Sequence, residues 1–196
     1  DYMPPVIVGA TDSHLYPLNG PDLTRAKRLA GPVHATAIMY TPNVPPWLQE
    51  AQIIRRDLKP LGIDVQVRDF PIGDFFARLS RRGEPFDLAV SGYSFPPDPV
   101  QILESFDGST IGPTNNINLS YFNDPVFNRK LKAVAKMSGA TRYRAAGRLA
   151  LELERDDAPA AAIAWNTSRD FFSARIGCQV YQPVFGVDLA ALCLRK

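Results

Sequence analysis

The sequence has little of what most reactive sites are built from. Among 196 residues there are only two cysteines and two histidines. Cys178 and Cys193 lie too far apart for a CxxC redox motif. Two thiols with the distant His14 and His34 make a poor zinc set. No His, Cys and carboxylate residues cluster, so no metal is expected on this chain. There is no GxSxG nucleophile elbow, no HExxH and no phosphate-cradling glycine loop, and no cofactor is expected. Asp156 and Asp157 resemble a carboxylate pair, but neighbours on a helix point apart and cannot share a substrate. Asp69 and Asp74 flank a turn, where N-capping accounts for Asp74. These residues describe a protein that is not an enzyme.

Long apolar runs are missing as well. None approaches the roughly 18–20 residues needed to span a bilayer. The first residues, Asp1-Tyr2-Met3-Pro4-Pro5, have neither the basic start nor the apolar stretch of a signal peptide. Charge of one sign is also lacking: 22 Lys and Arg against 20 Asp and Glu leave a net charge of +2. The basic residues occur as Arg55-Arg56, Arg81-Arg82 and Arg142, Arg144, Arg148, with acids among them. A nucleic-acid site needs a basic stripe with stacking aromatics, so these are solvated helix faces and no nucleic-acid partner is expected.

What remains is an ordinary globular composition, 45% hydrophobic and 21% charged, in a chain long enough to bury a sizeable core. Residues 1–20 are rich in Pro, Gly and Asn without periodicity and read as an extended lead-in segment. Asp22 then caps a short helix over Leu23 to Ala30, which Gly31-Pro32 stops. Ala35 to Tyr40 is β-prone. Leu48, Ala51, Ile54 and Leu58 recur at helical spacing within a helix from Trp47 to Leu58. Ile63, Val65 and Val67 alternate with Asp64, Gln66 and Arg68, the period of a half-buried strand. Phe75, Phe76 and Leu79 mark another helix, and Phe86 to Val90 suits a buried strand. This alternation predicts βαβ units and a largely parallel sheet flanked by helices. Residues 93–124 are irregular and too long for a plain connector, so they are functional or packed against something. Helices are expected over Val126 to Met137 and Thr141 to Arg155. Ala160 to Trp165, Phe171 to Ile176 and Leu189 to Leu194 are expected as strands.

In open parallel sheets, ligands bind outside the carboxyl ends of the strands. Two loops fall there: Thr41-Pro42-Asn43-Val44 after the first strand, and Tyr93-Ser94-Phe95-Pro96-Pro97-Asp98-Pro99 after the third. The candidate ligand-binding residues are Thr41, Asn43, Tyr93, Ser94, Phe95 and Asp98, aromatics and fixed polar groups of the kind a small-molecule pocket uses. Two readings stand for Tyr93, pocket wall or core cap. For Asp98 the favoured reading is the cap of a helix beginning at Pro99. The cysteines are either two buried thiols or one disulfide between antiparallel neighbours. A Cys178–Cys193 disulfide is the favoured reading and would point to an oxidising compartment.

Several segments resemble one family. "GPDLTRAKRLAG" (20–31) looks like the helix that opens the C-terminal lobe of family 5 extracellular solute-binding proteins, the dipeptide, oligopeptide and nickel-binding group of ABC importers. "IIRRDLKPLGIDVQVRDF" (53–70) resembles that family's helix-to-strand passage. "RRGEPFDLAVSGYSFPPDPVQIL" (81–103), "LSYFNDPVFNRKLKAV" (119–134) and "RYRAAGRLALELERDDAPAAAIAW" (142–165) resemble its later segments, in the family's order. The resemblance implies a type II periplasmic-binding fold of two lobes around a cleft. Residues 21–196 would supply the C-terminal lobe, and the N-terminal lobe is missing. It implies binding of a peptide or other small solute, delivery to an ABC permease, and an extracytoplasmic location. Tyr93 stands where the family usually has a cleft-facing Trp. The family's peptide binders also hold the ligand's ammonium group with an Asp in this loop. Here Pro96 stands near that place, and Asp98 matches the later acidic position. The departure weakens the peptide assignment and leaves the family resemblance intact. A solute-sensing lobe of a regulatory protein is the main alternative, and an α/β enzyme with an unrecognised site is the lesser one.

Overall fold

A computed structural model describes residues 1–11, 13–17, 19–92, 97–166, 169–182 and 186–195. The chain forms two compact units, one of Asp1–Ser13, Ser94–Ser105 and Pro125–Lys196, the other of His14–Tyr93 and Phe106–Asp124.

The second unit holds the sheet. Helix α1 (Leu23–Ala30) starts where Asp22 accepts the Arg25 N–H at 2.8 Å and ends at Gly31, whose φ of 66° leaves the helical region. Strand β1 (Ala35–Pro42) pairs in parallel with β2 (Ile63–Phe70) over all eight residues, from Ala35 opposite Ile63 to Pro42 opposite Phe70. Helix α2 (Trp47–Leu58) makes the crossover. On the other side of β1 lies β3 (Leu88–Ala89), also parallel, giving the order β2-β1-β3. The expected strand from Phe86 to Val90 shortens to two paired residues. The Asp87 carboxylate accepts the Ile38 N–H at 2.7 Å and so extends its hold on β1 with a side chain.

Alternation along β1 builds a core on each face. Met39 packs with Val65, Val90 and Ala51 of α2. Tyr40 packs on the opposite face with Phe75 and Leu79 of α3 (Ile72–Leu79). Trp47, Phe70 and Phe86 surround that second cluster. The Tyr40 ring lies 4.8 Å from Phe70 and 5.4 Å from Phe86. Asp74 is not the cap of α3. Pro71 occupies that position without a side-chain hydrogen bond, and Asp74 sits in the first turn, where a carboxylate meets the positive helix end. Residues 106–124 pack onto this same unit. The Asn116 amide donates to Ser80 O at 2.8 Å, the Tyr121 hydroxyl donates to Leu79 O at 2.8 Å, and the Arg82 N–H reaches Pro113 O at 3.0 Å.

The first unit carries the remaining helices and the C-terminal stretch. It contains α4 (Pro99–Glu104), α5 (Pro125–Ala135) and α6 (Gly139–Glu152), the last continuing as a wider turn to Asp157. Leu103, Phe127, Leu131, Ala146 and Leu149 are buried. Residues 4–10 turn rather than run extended, with the Ile7 N–H on Pro4 O and the Ala10 N–H on Ile7 O, and Tyr2 and Met3 before them are buried. Gly9 and Gly147 touch backbone to backbone. A Cβ on Gly147 would stand 1.9 Å from Gly9 O, and one on Gly9 would stand 2.3 Å from Tyr143 O. Asp156 pairs with Arg155 at 2.6 Å, which holds its carboxyl below the usual carboxylate range.

The C-terminal part departs from the three strands expected. None of the described residues in 158–175 is in a strand, and Leu189–Ala191 is a 3-10 turn. Four two-residue strands remain among the described residues: β4 (Ile176–Gly177) antiparallel to β7 (Cys193–Leu194), and β5 (Tyr181–Gln182) antiparallel to β6 (Gly186–Val187). Cys178 and Cys193 are disulfide-bonded with their Cα atoms 5.4 Å apart. Among the described residues, Ile163 is 58% exposed and Phe171 is 91% exposed, so both lack the half-buried face and paired neighbour that stabilise a strand.

Candidate functional site

The parallel ladder delivers β1 and β3 to one edge of the sheet. Just past β3, the Val90 N–H donates to Tyr40 O at 2.9 Å, so the chain leaves β1 at Thr41-Pro42 beside Val90-Ser91. At the far side, the Asn43 N–H donates to Phe70 O at 2.8 Å and keeps that loop on the line of the β1–β2 ladder. This is the carboxyl edge that the strand order predicts for a ligand.

The edge is polar at its centre and aromatic at its side. Thr41 is fully buried, its hydroxyl within 3.3 Å of Pro42 O. Asn43 is exposed. Ser91 is half-buried, and its Oγ is shielded from solvent without a hydrogen-bond partner among the described residues. A shielded hydroxyl left unpaired is costly, and a solute group or a water that reached it would recover that cost. Trp47, the first residue of α2, lies against Gly92, whose Cβ would stand 3.5 Å from its ring. Phe75 and Phe76 meet Trp47 edge-on, each with ring centroids at 6.4 Å.

The sequence-derived site divides. Thr41 and Asn43 belong to the sheet unit, and Asp98 belongs to the first unit. Tyr93, Ser94, Phe95 and the neighbouring Pro96 lie outside the described residues. Asp98 is the N-cap of α4, its Oδ1 accepting the Val100 N–H at 2.8 Å with Pro99 as the first helical residue. Its other oxygen, Oδ2, meets Arg142 Nη1 of α6 at 2.9 Å. Burial by itself raises the Asp98 carboxyl. The hydrogen bonds from Arg142 and Val100, with the guanidinium charge, outweigh it and leave the group below the usual carboxylate range. Both oxygens are thus occupied within the protein.

Sequence reasoning missed three contributors. Ser91 carries no pattern of its own and is found only by the burial of its oxygen. Trp47 read as a helix start, and its place against Gly92 follows from the sheet order. Arg142 read as one of several solvated helix cations, and its partner lies 44 residues earlier. Among the described residues no three His, Cys, Asp or Glu side chains gather as a metal would require. No helix among them is long and apolar enough to cross a membrane.

No protein-family model matches the chain, and no curated protein matches it. Solved structures do. The clavulanic acid biosynthesis oligopeptide binding protein 2 matches 98% of this chain and 38% of its own, with a TM-score of 0.85 at 21% identity. The Escherichia coli murein tripeptide binding protein MppA matches 98% of this chain and 39% of its own, with a TM-score of 0.77 at 16% identity. The ABC transporter-associated periplasmic binding protein DppA from Helicobacter pylori, in complex with the peptide STSA, matches 80% of this chain and 31% of its own. Its TM-score is 0.64 and its identity 24%. What is shared at such identities is the fold, an α/β lobe with a parallel sheet flanked by helices. The chain spans well under half the length of each of these proteins.

Proposed function

We propose that this chain is one lobe of a solute-binding protein that delivers an oligopeptide-like or other small solute to an ABC permease. The observation that carries the proposal is the match of nearly the whole chain to 38% of an oligopeptide binding protein, as a lobe would match. The carboxyl edge of the sheet supports it, with the exposed Asn43 and the unpaired Ser91 hydroxyl as polar contacts, the buried Thr41 behind them holding the turn through Pro42 O, and Trp47 beside them. In this reading the loop with Tyr93, Ser94 and Phe95 adds aromatic contacts, and a second lobe supplies the opposing surface. Such a site binds by enclosing its solute, with hydrogen bonds and aromatic faces rather than reactive groups, and it is not catalytic. Residues 21–196 act as the C-terminal lobe. The Cys178–Cys193 bond and the periplasmic relative from Helicobacter pylori support an extracytoplasmic location.

Half a cleft makes part of the contacts and gains nothing from closure. Calorimetric titration of a mixed panel of di- to pentapeptides tests the reading in this chain and in a longer protein carrying both lobes. The isolated chain is expected to bind at least about tenfold more weakly, a difference of about 1.4 kcal/mol or more. Equal affinities, or no binding by the two-lobed protein to peptides or other small solutes, overturn it.

A further inference from the structure

Charge is spread unevenly along this nearly neutral chain. Residues 125–150 hold seven of its 22 Lys and Arg and none of its 20 Asp and Glu. The stretch is the hairpin of α5 and α6, both within the first unit. Phe127, Leu131 and Val134 of α5, and Ala146, Leu149 and Ala150 of α6, take the buried side. Arg129 and Lys132 lie on the opposite side of α5, with Lys136 in the turn that follows. Arg144 and Arg148 stand one turn apart on the outer ridge of α6. All five are exposed, and among the described residues none of them takes part in an ion pair. The other two bases are engaged, Arg142 by Asp98 and Lys130 by Glu152. The acids next along the chain, Asp124 and Glu152, stand at the end of the hairpin away from its turn. At the turn, beside Lys136, Met137 is 39% exposed.

A protein–protein interface is ordinarily depleted of Lys and charge at an apolar centre. This face is the reverse, with cations along two helices and a thioether at the tip. Diffuse positive charge without a shaped pocket fits a surface of repeated negative charge, and phospholipid headgroups form one. The apolar sides of α5 and α6 are already spent in the core, so neither helix can lie down in a bilayer by that side. Contact is left to the cations and the tip.

We propose that the α5–α6 hairpin is a docking face for an anionic phospholipid surface. Arg129, Lys132, Lys136, Arg144 and Arg148 meet the headgroups, and Met137 enters just beneath them. This docking does not depend on the solute-binding reading above.

Sedimentation of this chain with vesicles tests it, using phosphatidylcholine alone and phosphatidylcholine with about one-third phosphatidylglycerol. Binding is expected only to the second, and about 0.5 M salt should abolish it by screening. Arg144→Gln/Arg148→Gln and Lys132→Gln/Lys136→Gln should each weaken it at least about tenfold. The urea midpoint should hold in both, because all four side chains are exposed. Arg55→Gln/Arg56→Gln removes the same charge from the exposed side of α2 and should change binding less than about twofold. Met137→Ser should weaken binding about threefold and keep its salt dependence. No binding to the anionic vesicles overturns the proposal. So does an equal loss from the α2 and hairpin variants, which would mean net charge without a face. Capture by immobilised polyglutamate as tight as by the vesicles also overturns it, and assigns the face to an acidic protein.

Discussion

The three-stranded sheet and the C-terminal stretch treat their apolar residues in opposite ways. In the sheet unit, Met39, Tyr40, Val65 and Phe75 are all 2% exposed or less, sealed between β1 and the helices on its two faces. In the stretch from 158 onward, Phe171 is 91% exposed, Leu189 75% and Leu194 72%. The sheet unit is held by area removed from water. Among its described residues, the C-terminal stretch is held by two short antiparallel pairings, one covalent bond and hydrogen bonds such as that of the Tyr2 hydroxyl to Ala160 O at 2.7 Å. An apolar residue stabilises only through the surface it meets, so the same composition produces a core in one place and a tethered ribbon in the other.

The largest effect is expected where burial does the holding. Phe75→Ala removes a fully buried ring that also supports Trp47, and should cost about 3–5 kcal/mol, read as a fall in the urea midpoint of the sheet unit. Next comes the covalent tether. Cys178→Ser opens a bridge between residues 15 apart and should remove about 3 kcal/mol of stability in the chain-entropy account. The loss should stay local, seen as faster exchange and proteolysis between β4 and β7 with an unaltered midpoint for the sheet unit. A parallel fall in that midpoint would show that the stretch and the sheet unfold together. The smallest effect is expected from Phe171→Ser, below about 0.5 kcal/mol, because an exposed ring leaves no cavity. A larger loss on denaturation would mean that Phe171 has a packing partner in solution, and the contrast between the two regions would narrow.

The sheet unit was readable in advance because its signals are local. The period of two in Ile63, Val65 and Val67, the helical spacing of Leu48, Ala51, Ile54 and Leu58, and the Asp22 and Gly31 boundaries each lie within a dozen residues. The carboxyl edge followed from strand order. The C-terminal strands were misread because Ala160 to Trp165 and Phe171 to Ile176 have the composition of strands, while a strand also needs a partner that composition does not contain. Asp74 was misread for a related reason: Pro71 begins α3 earlier than the carboxylate suggests. Ser91 and the Arg142–Asp98 pair were illegible. A single buried hydroxyl has no periodicity, and a contact across 44 residues leaves no trace in spacing.

The contact of Gly9 with Gly147 bears on how tolerance to substitution is interpreted. Any side chain at 147 meets the Gly9 carbonyl, and any at 9 meets that of Tyr143 besides adopting a φ of +97°. A saturation library should therefore find both positions closed, as strictly as a solute-contacting residue would be. Neither lies in the sheet unit that holds Thr41, Asn43 and Ser91. Ranking positions by intolerance alone would place this backbone crossing ahead of Asn43, whose exposed side chain carries part of the proposed recognition. In such a scan, the most forbidding sites would map where two stretches of main chain pass too close for any β-carbon.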